Sequence, residues 1–115
     1  MSRKHVLGPK DIIDETGLDT TMTGDKSHCE NLDLISYDVI WSNGNTPVAT
    51  VSIEYSNDST DWRTIDFGST ISISGASGAH RIDIEPNFKF VRPVVTFSSG
   101  DTDLLIEVKG TTKGA

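Results

Sequence analysis

Most of what equips a small domain for chemistry is scarce in this chain. There is one cysteine, Cys29, so no disulfide can form within it and no disulfide framework staples it. Such cysteine usage fits a protein made in a reducing cytoplasm. No stretch comes near the roughly 18 consecutive apolar residues of a spanning helix. The N-terminal MSRKHVLGPKDII is basic but has no continuous apolar core behind it, so it does not read as a secretory signal. Lysine and arginine number 10 against 17 acidic residues, leaving a net charge of −7. That balance argues against nucleic acid or an anionic membrane as the main partner, because both reward cations. Apolar content of 35% is low and suits a thin fold whose strands are half polar.

What the chain does have is alternation. In residues 48–67, Ala49, Val51, Ile53 and Tyr55 share one parity, and Thr50, Ser52 and Glu54 the other. Apolar side chains at every second position put one face in a core and leave the other wet. Residues 56–61 (SNDSTD) are small and polar, a turn-forming set whose side chains bond their own backbone. Trp62, Ile65 and Phe67 then restart an extended run, giving a hairpin with Trp62 as its largest apolar anchor. The same pattern recurs in residues 34–41 (Ile35, Tyr37, Val39, Trp41), 71–74, 80–85 (Ile82, Ile84) and 104–108. Asn43-Gly44, Gly75–Gly78 and Ser99-Gly100 read as turns between these runs. Residues 88–98 carry apolar side chains on both parities, which predicts a central strand or a bulge near Arg92-Pro93. The expected fold is all-β: an antiparallel β-sandwich or jelly roll spanning residues 32–115.

The first 31 residues differ. Arg3, Lys4, His5 and Lys10 make the start basic, and Gly8-Pro9 breaks it. Residues 11–15 are expected to form at most one helical turn, and an edge strand is expected near residues 18–22. This part reads either as a disordered tail or as an extended N-terminal arm that orders against a neighbouring subunit, since such segments cover large surfaces.

Candidate chemistry is thin. His28, Cys29 and Glu30 are adjacent, but neighbours in a strand point to opposite faces, and a zinc site needs four convergent ligands. Asn57, Asp58 and Asp61, or Asp101 and Asp103, offer oxygens that suit calcium, yet without the spacing of an EF-hand loop. Asp83 and Glu85 read as a solvated strand face, and no G-x-S-x-G nucleophile motif occurs. No catalytic, cofactor-binding or metal-binding residue is assigned, and no cofactor is expected. A carbohydrate-binding jelly roll is an alternative, with Trp41, Tyr55 or Trp62 against sugar faces. Arg81, Lys89 and Arg92 interrupt an acidic surface and suit either pairing with an adjacent copy or simple solvation.

Three segments carry a resemblance. IEYSNDSTDW resembles a strand–turn–Trp hairpin of small phage virion proteins and of discoidin-like carbohydrate-binding jelly rolls. FGSTISISGASGAHRIDI and FKFVRPVVTFSSGDTDLLIEVKGTTKGA resemble the C-terminal half of small β-sandwich structural proteins of tailed bacteriophages, with Trp62, Gly75, Gly78, Phe90, Arg92, Gly100, Lys109 and Gly110 at matching positions. The resemblance spans residues 34–113. It implies a non-enzymatic virion protein made in the host cytoplasm, foremost a head decoration or cement protein and alternatively a tail or neck component. Its partners would be capsid or tail protein and further copies of itself, with a trimer as the expected oligomer and neither nucleic acid nor membrane involved. Arg3, Lys4, His5, Lys10, Trp62 and Arg92 are the expected partner-binding residues. Deleting residues 1–25 is expected to leave the β domain folded and to abolish assembly.

Overall fold

A computed structural model describes residues 6–65 and 70–111, with side chains from Lys10 onward. The fold is all-β and antiparallel, in the order β1 (Val6–Leu18), β2 (Met22–Thr23), β3 (Ser27–His28), β4 (Leu34–Ser56), β5 (Arg63–Thr64), β6 (Ile71–Ile73), β7 (Gly78–Ile84) and β8 (Phe90–Thr111). Its spine is a two-stranded ribbon. β4, of 23 residues, pairs with β8, of 22, along their whole lengths, from Leu34↔Thr111 to Ser56↔Phe90.

The ribbon is kinked at its middle, and each half heads one layer of the sandwich. In the first layer, residues 34–42 of β4 pair with residues 103–111 of β8, flanked by β7 and β1. In the second, residues 48–56 pair with residues 90–99, flanked by β5 and β6 on one side and by β2 and β3 on the other. Ile35, Tyr37, Val39 and Trp41 from one layer and Ala49, Val51, Ile53, Val91 and Val95 from the other join a single buried cluster.

The kink corrects two expectations. Residues 42–47 and 98–101 carry turn chemistry, and their backbones do visit the left-handed region: φ is 53° at Asn43, 44° at Thr46 and 74° at Gly100. Neither site reverses the chain. The two sites lie opposite one another, with Asn45 facing Asp101, so both strands bend together and stay paired. Gly100 suits this twice over, because its φ is positive and a Cβ there would strike the backbone carbonyl of Thr46. The register slips by one residue across the bend. The buried set on β8 therefore changes from odd positions (Val91, Pro93, Val95) to even ones (Thr102, Leu104, Ile106, Val108), while the buried apolar set on β4 stays odd throughout.

β8 is a central strand, as the two-faced apolar pattern of residues 88–98 predicts. The bulge expected near Arg92-Pro93 lies instead at the bend, and Pro93 pairs in register with Ile53. The carbonyl of Pro93 accepts from the amide of Gly24, in the gap between β2 and β3. Carbonyl and amide of one residue point to the same side of a strand, so the missing N–H of Pro93 faces that gap too.

The N-terminal segment is extended and lies on the sheet. Residues 11–15 belong to β1, not to a helical turn, and the edge strand expected at residues 18–22 is resolved into the end of β1 and the short β2. β1 pairs along β8 and places Ile13 in the core; Cys29 is buried as well. Deleting residues 1–25 would thus strip a core side chain and leave the flank of β8 without β1 and β2. The expected returning run through Phe67 lies partly outside the described residues; what is described of it, β5, pairs with Glu54 and Tyr55, and the strand expected at residues 71–74 is β6, paired with residues 49–51. The largest aromatic of the buried core is Trp41, while Trp62 is half-buried. Trp41 lies across the strand from Gly78, where a Cβ would strike the indole, and its Nε1 donates to the Ser74 carbonyl at 3.1 Å.

Candidate functional site

The second layer has a side-chain strip on its outer face. Outward positions on neighbouring strands fall in one row, Arg92–Glu54–Thr64, because β8 and β5 both pair with β4 at Glu54. Arg92 donates through Nε (2.9 Å) and Nη2 (2.8 Å) to Glu54 Oε1. Its guanidinium lies 3.9 Å from the centre of the Trp62 ring. One strand along, His28 stacks on Phe90 at 5.2 Å, and Lys26 Nζ stands 5.0 Å from the same ring while donating to Ser59 Oγ. Two of the expected partner-binding residues, Trp62 and Arg92, are thus brought into contact. Lys10 is exposed on β1 of the other layer, opposite Val108. Arg3, Lys4 and His5 lie outside the described residues. One face of the Trp62 indole, of the kind on which a sugar ring would stack, is occupied by Arg92.

The polar groups that the sequence offered to metals or catalysis have local duties. Asp58 Oδ1 accepts from the backbone amides of Thr60 and Asp61 and from the Ser56 hydroxyl, all at 2.9 Å. These bonds, the backbone amides first, pull its carboxyl down to about 2. Asn57 Oδ1 accepts from the amide of Lys89. Asp103 accepts from the Asn43 side chain (2.7 Å) and the Gly17 amide (2.8 Å), which hold its carboxyl below the usual range and tie β1 to the bend. Asp83 accepts from Ser36 (2.6 Å) and Arg81 (2.8 Å) and is likewise depressed. His28 pairs with exposed Glu30 at 3.2 Å, while Cys29 between them turns inward, so the three side chains do not converge.

Sequence reasoning missed a buried polar group. Tyr37 is fully buried, and its hydroxyl has no hydrogen-bond partner among the described residues. Burial drives its ionisation far upward; the nearby Ser27 hydroxyl tempers this, and Cys29 adds to it. Cys29 donates weakly to the Phe88 carbonyl at 3.4 Å, and burial pushes its thiol up to about 11. A thiol this protonated is a poor nucleophile. No sequence signal marks the cluster, because Tyr37 sits at an ordinary inward position of its strand.

No family model matches the chain, and no curated protein matches it. Among solved structures the fold is similar to that of a chain from Bacillus endospore appendages, described as a novel family of disulfide-linked pili. The TM-score is 0.55 at 16% identity, covering 96% of this chain and 92% of that one. The likeness is one of fold.

Proposed function

We propose that this chain is a non-enzymatic structural subunit that holds other protein subunits in an ordered assembly. The assembly we favour is the virion of a tailed bacteriophage, with the chain as a head decoration protein contacting capsid protein and copies of itself. The observation that carries the reading is how the reactive side chains are used. Asp58, Asp83, Asp103 and Cys29 are each engaged in holding a turn, a strand pair or the core, as a scaffold requires. The resemblance of residues 34–113 to phage β-sandwich proteins supports the virion.

The fold likeness to a pilus chain favours a second reading, an appendage subunit. The sulfur content weighs against a covalent version of it. One cysteine can join two copies at most, whereas a disulfide-linked chain of subunits needs two sulfurs in each. A filament of this sequence would therefore not be a disulfide-linked chain.

Protein mass spectrometry of purified particles tests the proposal. The chain is expected at high, fixed stoichiometry in virions purified from the producing culture. Its recovery only in the soluble fraction would remove the virion reading, and its recovery in sheared surface filaments would replace that reading with the second.

A further inference from the structure

The two outer edges of the first layer are built differently. β1 is broken by three register shifts along its pairing with β8, and such irregularities keep an edge from templating another strand. β7 has none. Its register with β4 runs without a shift from Ile35↔Ile84 to Trp41↔Gly78, and among the described residues its other side pairs with no strand. Pro86 follows close behind and ends the run.

The side chains of β7 are self-complementary about Ile82. Arg81 and Asp83 flank it on the outer face and are both about half exposed; His80 and Ile84 flank it on the inner face. An antiparallel copy of β7 centred on Ile82 sets Arg81 opposite Asp83 of the second copy, and Asp83 opposite its Arg81. Ile82 meets Ile82 along the core side, and half-buried Ile84 covers exposed His80. Centring the pair on Arg81 sets like charge against like, which destabilises a strand pair; centring it on Asp83 does the same at Asp83 and pushes the pairing past Ile84, the last residue of β7. A shift by one residue turns the second copy's core to the wrong side of the sheet.

We propose that β7 is the edge through which two copies of this chain join, antiparallel about a twofold axis at Ile82, into one continuous sheet. The proposal rests on the reading of the chain as a structural subunit and names one of its contacts. Within one copy Arg81 already bonds Asp83 and Ser36, so joining exchanges ion pairs rather than adding them. The new stabilisation comes from the backbone ladder, and the charges select the register. A seven-residue edge gives a small interface, so the dimer is weak and suits a contact repeated in a larger assembly.

Sedimentation equilibrium of the full chain at rising concentration tests it. The wild type is expected to dimerise in a concentration-dependent way. Arg81→Asp and Asp83→Arg each create two like-charge pairs and are expected to weaken the dimer about tenfold, roughly 1.4 kcal/mol. The double variant R81D/D83R restores opposite charges and is expected to dimerise as the wild type does. Should either single variant melt early, Arg81→Ala, which removes attraction without adding repulsion, is expected to weaken the dimer about threefold. A monomeric wild type, single variants that dimerise normally, or a double variant no better than the singles would each overturn the contact. A monomer in solution would leave the structural reading to stand on particle composition, while a dimer absent from every particle would remove that reading and leave the contact.

Discussion

The two layers share their central strands but are flanked differently. In the first, the flanks are strands of 13 and 7 residues that join the ribbon through long backbone ladders. In the second, they are pieces of two or three residues, β2, β3, β5 and β6. The second layer replaces the missing ladder with side chains: Trp62–Arg92–Glu54 on one flank, Lys26 and His28 over Phe90 on the other. A sheet margin can evidently be held either way. The side-chain version concentrates its stabilisation in a few residues.

Substitutions can break or sharpen this contrast. The largest effects belong to the shared ribbon. Ile106→Ala in the first layer and Ile53→Ala in the second, both fully buried, are each expected to cost about 3 kcal/mol in denaturant unfolding. A cost confined to one of them would mean that the ribbon is not common to both layers. Next comes the test of the margins. Arg92→Ala removes an ion pair whose partners are only 27% and 22% exposed, together with the Trp62 contact. It is expected to cost about 2 kcal/mol and to speed amide exchange in β5. Arg81→Ala, at a half-exposed pair on the first layer, is expected to cost under about 0.5 kcal/mol to the single copy. Equal costs would erase the distinction between the layers.

Tyr37→Phe works in the opposite direction. Among the described residues its buried hydroxyl forms no close hydrogen bond and feels only the Ser27 hydroxyl, so removing it is expected to raise stability by under about 1 kcal/mol, read as a higher melting temperature. The smallest effects are on pH dependence. The thiol of Cys29 is raised in the folded state to about 11. Its contribution is therefore complete below the unfolded value of about 8.5 and fades as pH climbs toward 11. Cys29→Ala is expected to flatten that alkaline limb. Asp58 is depressed to about 2, so its contribution is present above about pH 4 and is lost as pH falls toward 2. Asp58→Asn is expected to remove that part of the acid limb, measured by melting at stepped pH.

The sequence makes the inward set easy to read. Ile35 to Trp41, Ala49 to Ile53, Ile71, Ile73 and Ile82 are all buried where alternation puts them. It hides the connection of strands. Asn43-Gly44 and Ser99-Gly100 supply hairpin chemistry, but a residue with positive φ fixes only its own backbone. Whether the chain then reverses or bends depends on the partner across the ladder, some fifty residues away. The same blindness covers the site. Trp62 and Arg92 stand out singly and Glu54 looks like an ordinary outward residue, and only the register of three strands makes them one contact. The strand at residues 11–15 is hard to read because β1 is so irregular. Its register shifts erase the period-two signal that marks a strand.

The kinked ribbon has a thermodynamic corollary. β4 and β8 each run through both layers, so neither layer can melt while the other keeps its middle strands. Heating should therefore give one calorimetric peak whose van 't Hoff and calorimetric enthalpies agree. For the assembly component proposed above, this would be a useful all-or-none quality: a copy is either competent to be incorporated or wholly unfolded, with no half-formed species to poison a growing lattice.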